Sequence, residues 1–124
     1  MNVVDSCGWL EYFAGTINAE NFAEAIETTE ALIVPTITIH EVFKVVLRQR
    51  DEGVALEAIA LMKQGEVITL DEHLALRAAK IAVTEKMPMA DSIVYATALA
   101  YDATVWTQDD DFKGKSRVNY FEKR

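Results

Sequence analysis

Asn2-Val3-Val4 is a short apolar run that ends abruptly in the carboxylate of Asp5. A β-branched run at this density predicts a buried strand, and Ser6 then opens a helix. That helix, Ser6 to Ala14, carries Trp9, Leu10, Tyr12 and Phe13 and is stopped by Gly15. A second helix is predicted from an N-cap at Asn18 to about Thr29, with Phe22, Ala25 and Ile26 on its apolar face. Ala31 to Val34 reads as a second buried strand, ended by Pro35. Thr38-Ile39-His40-Glu41 opens a longer helix in which Ile39, Val42, Phe43 and Val46 keep the spacing of one buried face. Ala55, Ala58, Ile59 and Met62 keep the same period between Gly53 and Gly65. Val67 to Leu70 is a third strand, and Asp71 caps a helix to about Lys86 with Leu74, Ala78, Ile81 and Ala82 inward. Beyond Pro88, the stretch from Asp91 to about Tyr101 is apolar nearly all round, which predicts a central helix. Ala103 to Trp106 is a fourth strand leading into Thr107-Gln108-Asp109, and Arg117 to Tyr120 carries the faint pattern of a fifth.

Strands alternating with helices predict an α/β fold with a parallel sheet covered on both faces. No repeat, low-complexity segment or linker divides residues 1–124, so one domain is expected. Composition sharpens this only slightly. With 51% hydrophobic residues the chain has the material for a packed core. Its formal net charge of −8 repels nucleic acid at long range, so a nucleic-acid role requires a metal and a local basic patch. Cys7 is the only cysteine, which excludes an internal disulfide and fits a reducing compartment. No basic leader and no apolar run of membrane-spanning length is present, so a cytoplasmic protein is expected.

The chemistry is carried by carboxylates, and each has an ordinary structural explanation when taken singly. Asp5, between a strand and a helix, can serve as an N-cap. Thr38-x-x-Glu41 has the form of a capping box, in which both side chains satisfy backbone donors. Asp91 in a first helical turn is stabilised by the helix dipole by about 0.3–1 kcal/mol. Asp109-Asp110-Asp111, just past a strand, reads as a solvated turn with one or two acids turned inward.

Together they say more. In a doubly wound sheet, strand ends and the helix starts after them share one edge, where ligands bind. Asp5, Glu41, Asp91 and Asp109 all fall on that edge. Two carboxylates about 4 Å apart repel by about 4 kcal/mol at an effective dielectric of about 20, so a cluster of them needs a cation. Oxygen-only ligands select a hard ion such as Mg²⁺ or Mn²⁺, and such a site suits hydrolysis of a phosphodiester. His40 points away from its neighbour Glu41, and His73 lacks a partner at metal-ligand spacing. Cys7 reads as a small buried residue. No phosphate-binding glycine loop or nucleophile elbow occurs.

Val3-Val4-Asp5-Ser6, the helix-opening Glu41, Met89-Ala90-Asp91-Ser92-Ile93-Val94-Tyr95-Ala96-Thr97-Ala98 and Thr107-Gln108-Asp109-Asp110-Asp111-Phe112 resemble the PIN-domain nucleases. The likeness is greatest to the small VapC toxins of type II (VapBC) toxin–antitoxin systems. It covers essentially the whole chain. The resemblance implies a three-layer α/β/α fold with a parallel sheet of about five strands, and a Mg²⁺- or Mn²⁺-dependent endoribonuclease. It implies that Asp5, Glu41 and Asp91 are the core acids and Asp109 a more variable fourth, with Asp111 assisting. Ser6 and Thr107 match hydroxyl positions that orient these carboxylates. Asp5, Asp91 and Asp109 would hold the metal. A cognate antitoxin covering the acidic site, and a homodimer, are also implied.

Candidate RNA contacts are Lys44 and Arg48 after Glu41, and Lys113, Lys115 and Arg117 after the acidic turn; they serve equally as counter-charge on a solvated surface. Two rival readings use the same acids. One is a non-enzymatic module whose acidic pocket receives a basic partner. The other is a phosphoryl-transfer domain of receiver or haloacid-dehalogenase type. Against the latter, the second residue after Asp5 is Cys7 rather than an acid, and Asp71 reads as a helix cap.

Overall fold

The computed structural model describes residues 1–124. Five strands, β1 (Asn2–Val4), β2 (Leu32–Pro35), β3 (Glu66–Ile68), β4 (Thr104–Thr107) and β5 (Val118–Tyr120), form one parallel sheet in the order β3-β2-β1-β4-β5. Six helices connect them: α1 (Ser6–Ala14), α2 (Ala19–Glu27), α3 (Thr36–Gln49), α4 (Glu52–Met62), α5 (Glu72–Glu85) and α6 (Met89–Ala100). This is a three-layer α/β/α architecture. The period-two alternation of the strands divides the core. Val4 and Val34 face α1 to α4, packing with Trp9, Phe22, Val42 and Met62. Val3, Ile33 and Val105 face α5 and α6, packing with Leu74, Val94, Tyr95 and Phe112. Residues 92–98 of α6 are all buried, as its nearly unbroken apolar sequence predicts.

The winding reverses at β1. The chain steps outward through β2 and β3, then crosses back to β4 on the other side of β1. The carboxyl ends of β1 and β4 therefore flank the crevice where such sheets bind ligands. Tight contact at Gly8 brings α1 down onto this edge: a Cβ there would lie 2.6 Å from the Phe22 ring and 2.7 Å from Val4.

Several local expectations change. Helix α3 starts at Thr36, after Pro35, so Thr38 is inside the helix and the capping box with Glu41 does not form. The buried Thr38 hydroxyl instead donates to the Pro35 carbonyl at 2.7 Å. Helix α6 starts at Met89, two residues before Asp91, because Pro88 already supplies the extended residue ahead of the helix. Asn18 does occupy the N-cap position of α2, but its side chain caps nothing. It is buried and donates instead to the Gln108 side chain and to the Glu122 carbonyl. The faint fifth strand is present, paired with β4 along Val118 to Tyr120.

Candidate active site

Asp5 is the most constrained acid in the molecule. Its backbone leaves β1 in an extended conformation and its carboxylate caps α1, accepting from the Ser6 amide at 2.9 Å. The second oxygen accepts from the Thr107 hydroxyl at 2.9 Å and the Cys7 thiol at 3.4 Å. Only 3% of the residue is exposed. Burial pushes the carboxyl up to about 6, against the three hydrogen bonds that favour its ionised form.

Thr107 ends β4 and is fully buried. Its hydroxyl donates to Asp5 and accepts from the Asp109 amide at 2.9 Å, so one oxygen ties the ends of β1 and β4 together. Asp109 caps a 3-10 turn over Asp110–Phe112, accepting from the Asp111 amide at 2.9 Å. Buried Phe112, packed edge-on against Tyr95 of α6, anchors that turn from below. Asp91 projects from the first turn of α6 and is half-buried. Burial, followed by repulsion from Asp109, Asp5 and Asp111, pushes its carboxyl up to about 8.

Asp5, Asp91 and Asp109 each turn a carboxylate oxygen to a point where all three lie within 4.8 Å of one another. No lysine or arginine neutralises them; the two ion pairs of the protein, Lys115–Glu85 and Arg117–Asp102, lie elsewhere. Three hard oxygen donors with no internal counter-charge fit a divalent cation of the Mg²⁺ or Mn²⁺ type. The upward displacement of Asp5 and Asp91 is the protonic counterpart of that fit.

The chain matches the PIN domain family over residues 3–118. It belongs to that family. Its PIN fold is similar over nearly its whole length to a toxin–antitoxin complex from Klebsiella pneumoniae, with 21% identity, a TM-score of 0.82 and coverage of 99% of this chain and 100% of that one. VapC20 of Mycobacterium tuberculosis, a sarcin–ricin-loop-cleaving toxin, aligns at 15% identity and TM-score 0.74, covering 90% of this chain and 92% of that one. DNA-bound VapBC from Salmonella typhimurium aligns at 14% identity and TM-score 0.73, covering 98% of this chain and 96% of that one. No curated protein matches by sequence.

Other expected residues of this PIN domain are distributed unevenly. Glu41 lies on α3, half-buried and outside the group of three acids. Asp111 is exposed but faces Asp91 closely enough to raise it. Ser6 reaches Asp5 through its amide rather than its hydroxyl. Lys44 and Arg48 are exposed on α3 without an ion-pair partner. Lys115 is held by Glu85 at 2.7 Å, and the Lys113 ammonium sits 5.5 Å from the centre of the Tyr120 ring. His40 and His73 are exposed.

Two features escape a reading of the sequence. Cys7 is a direct hydrogen-bond partner of Asp5, and its thiol is pushed up to about 12 by burial and by that carboxylate. Gln108 joins Asn18 and Glu11 behind the acidic turn, donating to Glu11 at 3.2 Å. Residues 18 and 108 have no local relation, so nothing in the sequence pairs them.

Proposed function

We propose that this PIN domain, spanning residues 1–124, is a metal-dependent endoribonuclease and the toxin of a type II toxin–antitoxin pair. The observation that carries the reading is the trio Asp5, Asp91 and Asp109, with oxygens within 4.8 Å and no cationic side chain among them. These three would hold Mg²⁺ or Mn²⁺, with Glu41 and Asp111 supporting at the rim of the site. When bound, a divalent cation supplies the Lewis-acid charge that assists attack of water on a phosphodiester.

The chain's own groups do the rest. Thr107, Cys7 and the Ser6 amide fix the Asp5 carboxylate so that it presents its oxygens in one orientation. The Thr107 hydroxyl and the Asp111 amide fix the Asp109 segment in the same way. Asp91 gives up its proton as the site takes up positive charge, so cation affinity rises with pH. Lys44 and Arg48, with Lys113 and Lys115 across the edge, would meet the RNA backbone. The 2′-hydroxyl takes no part, and cleavage leaves 5′-phosphate and 3′-hydroxyl ends.

The likeness to VapBC complexes supports a protein antitoxin as partner, and the acidic pocket suits a basic side chain of such a partner. A homodimer and a cytoplasmic location belong to the same reading; no helix is long and apolar enough to cross a membrane.

The test is cleavage of an end-labelled mixed RNA by antitoxin-free protein in Mg²⁺, Mn²⁺ or EDTA, beside Asp91→Asn purified identically. Cleavage that requires the metal and is reduced at least about a hundredfold in the variant is expected. Equal cleavage by both proteins, or a 2′,3′-cyclic phosphate product, overturns the scheme.

A further inference from the structure

Behind the acidic turn lies a network of buried amides outside the group of three acids. Asn18 is 1% exposed and Gln108 7%. The Asn18 amide donates to the Gln108 side-chain oxygen and, at 3.1 Å, to the Glu122 carbonyl. Its oxygen accepts from the Asn21 amide at 2.7 Å. Gln108 in turn donates to one Glu11 oxygen at 3.2 Å, and the other accepts from the Thr16 hydroxyl at 2.7 Å. The Glu122 carbonyl can only accept, which fixes the orientation of the Asn18 amide and through it that of Gln108.

Asn18 holds the N-cap position of α2 yet caps nothing. A capping asparagine would strengthen the helix, and this one is committed to residue 108 instead. The place of Gln108 gives the reason. It stands between Thr107, whose hydroxyl binds Asp5, and Asp109, one of the three acids. Beyond Thr107 the backbone leaves β4, and residues 108 and 109 belong to no helix or strand. Asp5 and Asp91 repel Asp109 and press this segment outward until a cation balances them. The Thr107 hydroxyl ties Asp109 only to the end of its own strand. The Gln108 side chain ties the same segment to α1, α2 and the residues after β5. A buried network with its hydrogen bonds satisfied holds one arrangement against such a load.

We propose that Asn18 and Gln108 are positioning residues of the acidic site. Their contact holds the Asp109 carboxylate at the distance from Asp5 and Asp91 that a divalent cation requires. The inference rests on the metal-binding reading of those acids, but one of its measurements needs no metal, so the two can fail separately.

The test pairs Mn²⁺ titration calorimetry of the antitoxin-free protein with hydrogen exchange at the Asp109 amide, read by NMR without metal. Gln108→Met keeps the side-chain length and the net charge but removes both hydrogen bonds. It should weaken Mn²⁺ binding roughly tenfold and speed exchange at Asp109. Gln108→Glu alone sets a carboxylate against Glu11 and should also speed exchange. Adding Glu11→Gln reverses donor and acceptor, returns the net charge to that of the wild type and should restore slow exchange. Met62→Ala is the control for stability, because Met62 is buried at the end of α4, on the sheet edge opposite the acids. It should lower the melting temperature and leave both readouts unchanged. Unaltered Mn²⁺ affinity in Gln108→Met overturns the proposal, as does an equal loss in Met62→Ala. Should the wild-type protein bind no Mn²⁺, the metal reading falls, and unaltered exchange in Gln108→Met overturns the positioning role by itself. Should Gln108→Met not fold, failure of Glu11→Gln to restore slow exchange overturns it instead.

Discussion

Asp5 and Asp91 hold protons in the folded protein at a pH where the unfolded chain has lost them, and the linkage has one sign. Both carboxyls are raised above the ordinary 3.8, to about 6 and about 8. The folded state therefore binds more protons between about pH 4 and about pH 8, and stability without metal falls as pH rises through that window. Thermal melts in EDTA should show this decline, and Mg²⁺ should reverse it at the upper end. Asp91→Asn should flatten the decline and stabilise the metal-free protein at about pH 8. A melting temperature that rises from about pH 5 to about pH 8 in EDTA would contradict this account. The same residues show how far sequence carries a site. Asp5 lies 86 positions before Asp91 and Asp91 lies 18 before Asp109, yet each announces itself at a strand end or a helix start. Cys7 does not, because a small apolar thiol has the composition of a core residue until its neighbours are known.

At the level of elements, the helices and strands follow closely from periodicity, while their first residues do not. Asp71 and Asp5 act as N-caps as their positions suggest, accepting from Leu74 at 2.9 Å and Ser6 at 2.9 Å. Thr38 does not cap, because Pro35 ends β2 and lets the helix begin two residues sooner. Glu41 is thereby freed from the backbone role its spacing suggested. The seating of α1 depends on Gly8, whose missing side chain lets the helix approach Phe22 and Val4. Gly8→Ala should cost roughly 1–3 kcal/mol through overpacking, measured by urea denaturation. The gain in helix propensity, about 1 kcal/mol, offsets only part of this. An unchanged midpoint would mean that Phe22 yields without strain. Because Asp5 and Cys7 stand at the start of α1, the same variant should also weaken metal binding.

For the whole molecule, the decisive quantity is where charge lies rather than how much there is. A net charge of −8 opposes RNA binding, so local cations must carry any contact. Lys115 and Arg117 already have acidic partners, which leaves Lys44 and Arg48 as the freer pair. Lys44→Glu combined with Arg48→Glu should weaken RNA binding and flatten its dependence on log salt by about 0.7 per lost phosphate contact. Binding that is unchanged in strength and slope would assign the pair to surface solvation. The α/β class, the parallel sheet, the burial of α6 and the acids available at one edge were all legible along the chain. Each rests on patterns of period two or 3.6, or on residues that punctuate elements, and all of these are local. Which of these acids meet depends on how the strands are ordered in the sheet. Strand order puts β1 beside β4, and one buried hydroxyl, Thr107, then binds both ends, while Glu41 on α3 remains apart. Such contacts join residues about a hundred positions apart, a separation at which the chain has no periodicity to read.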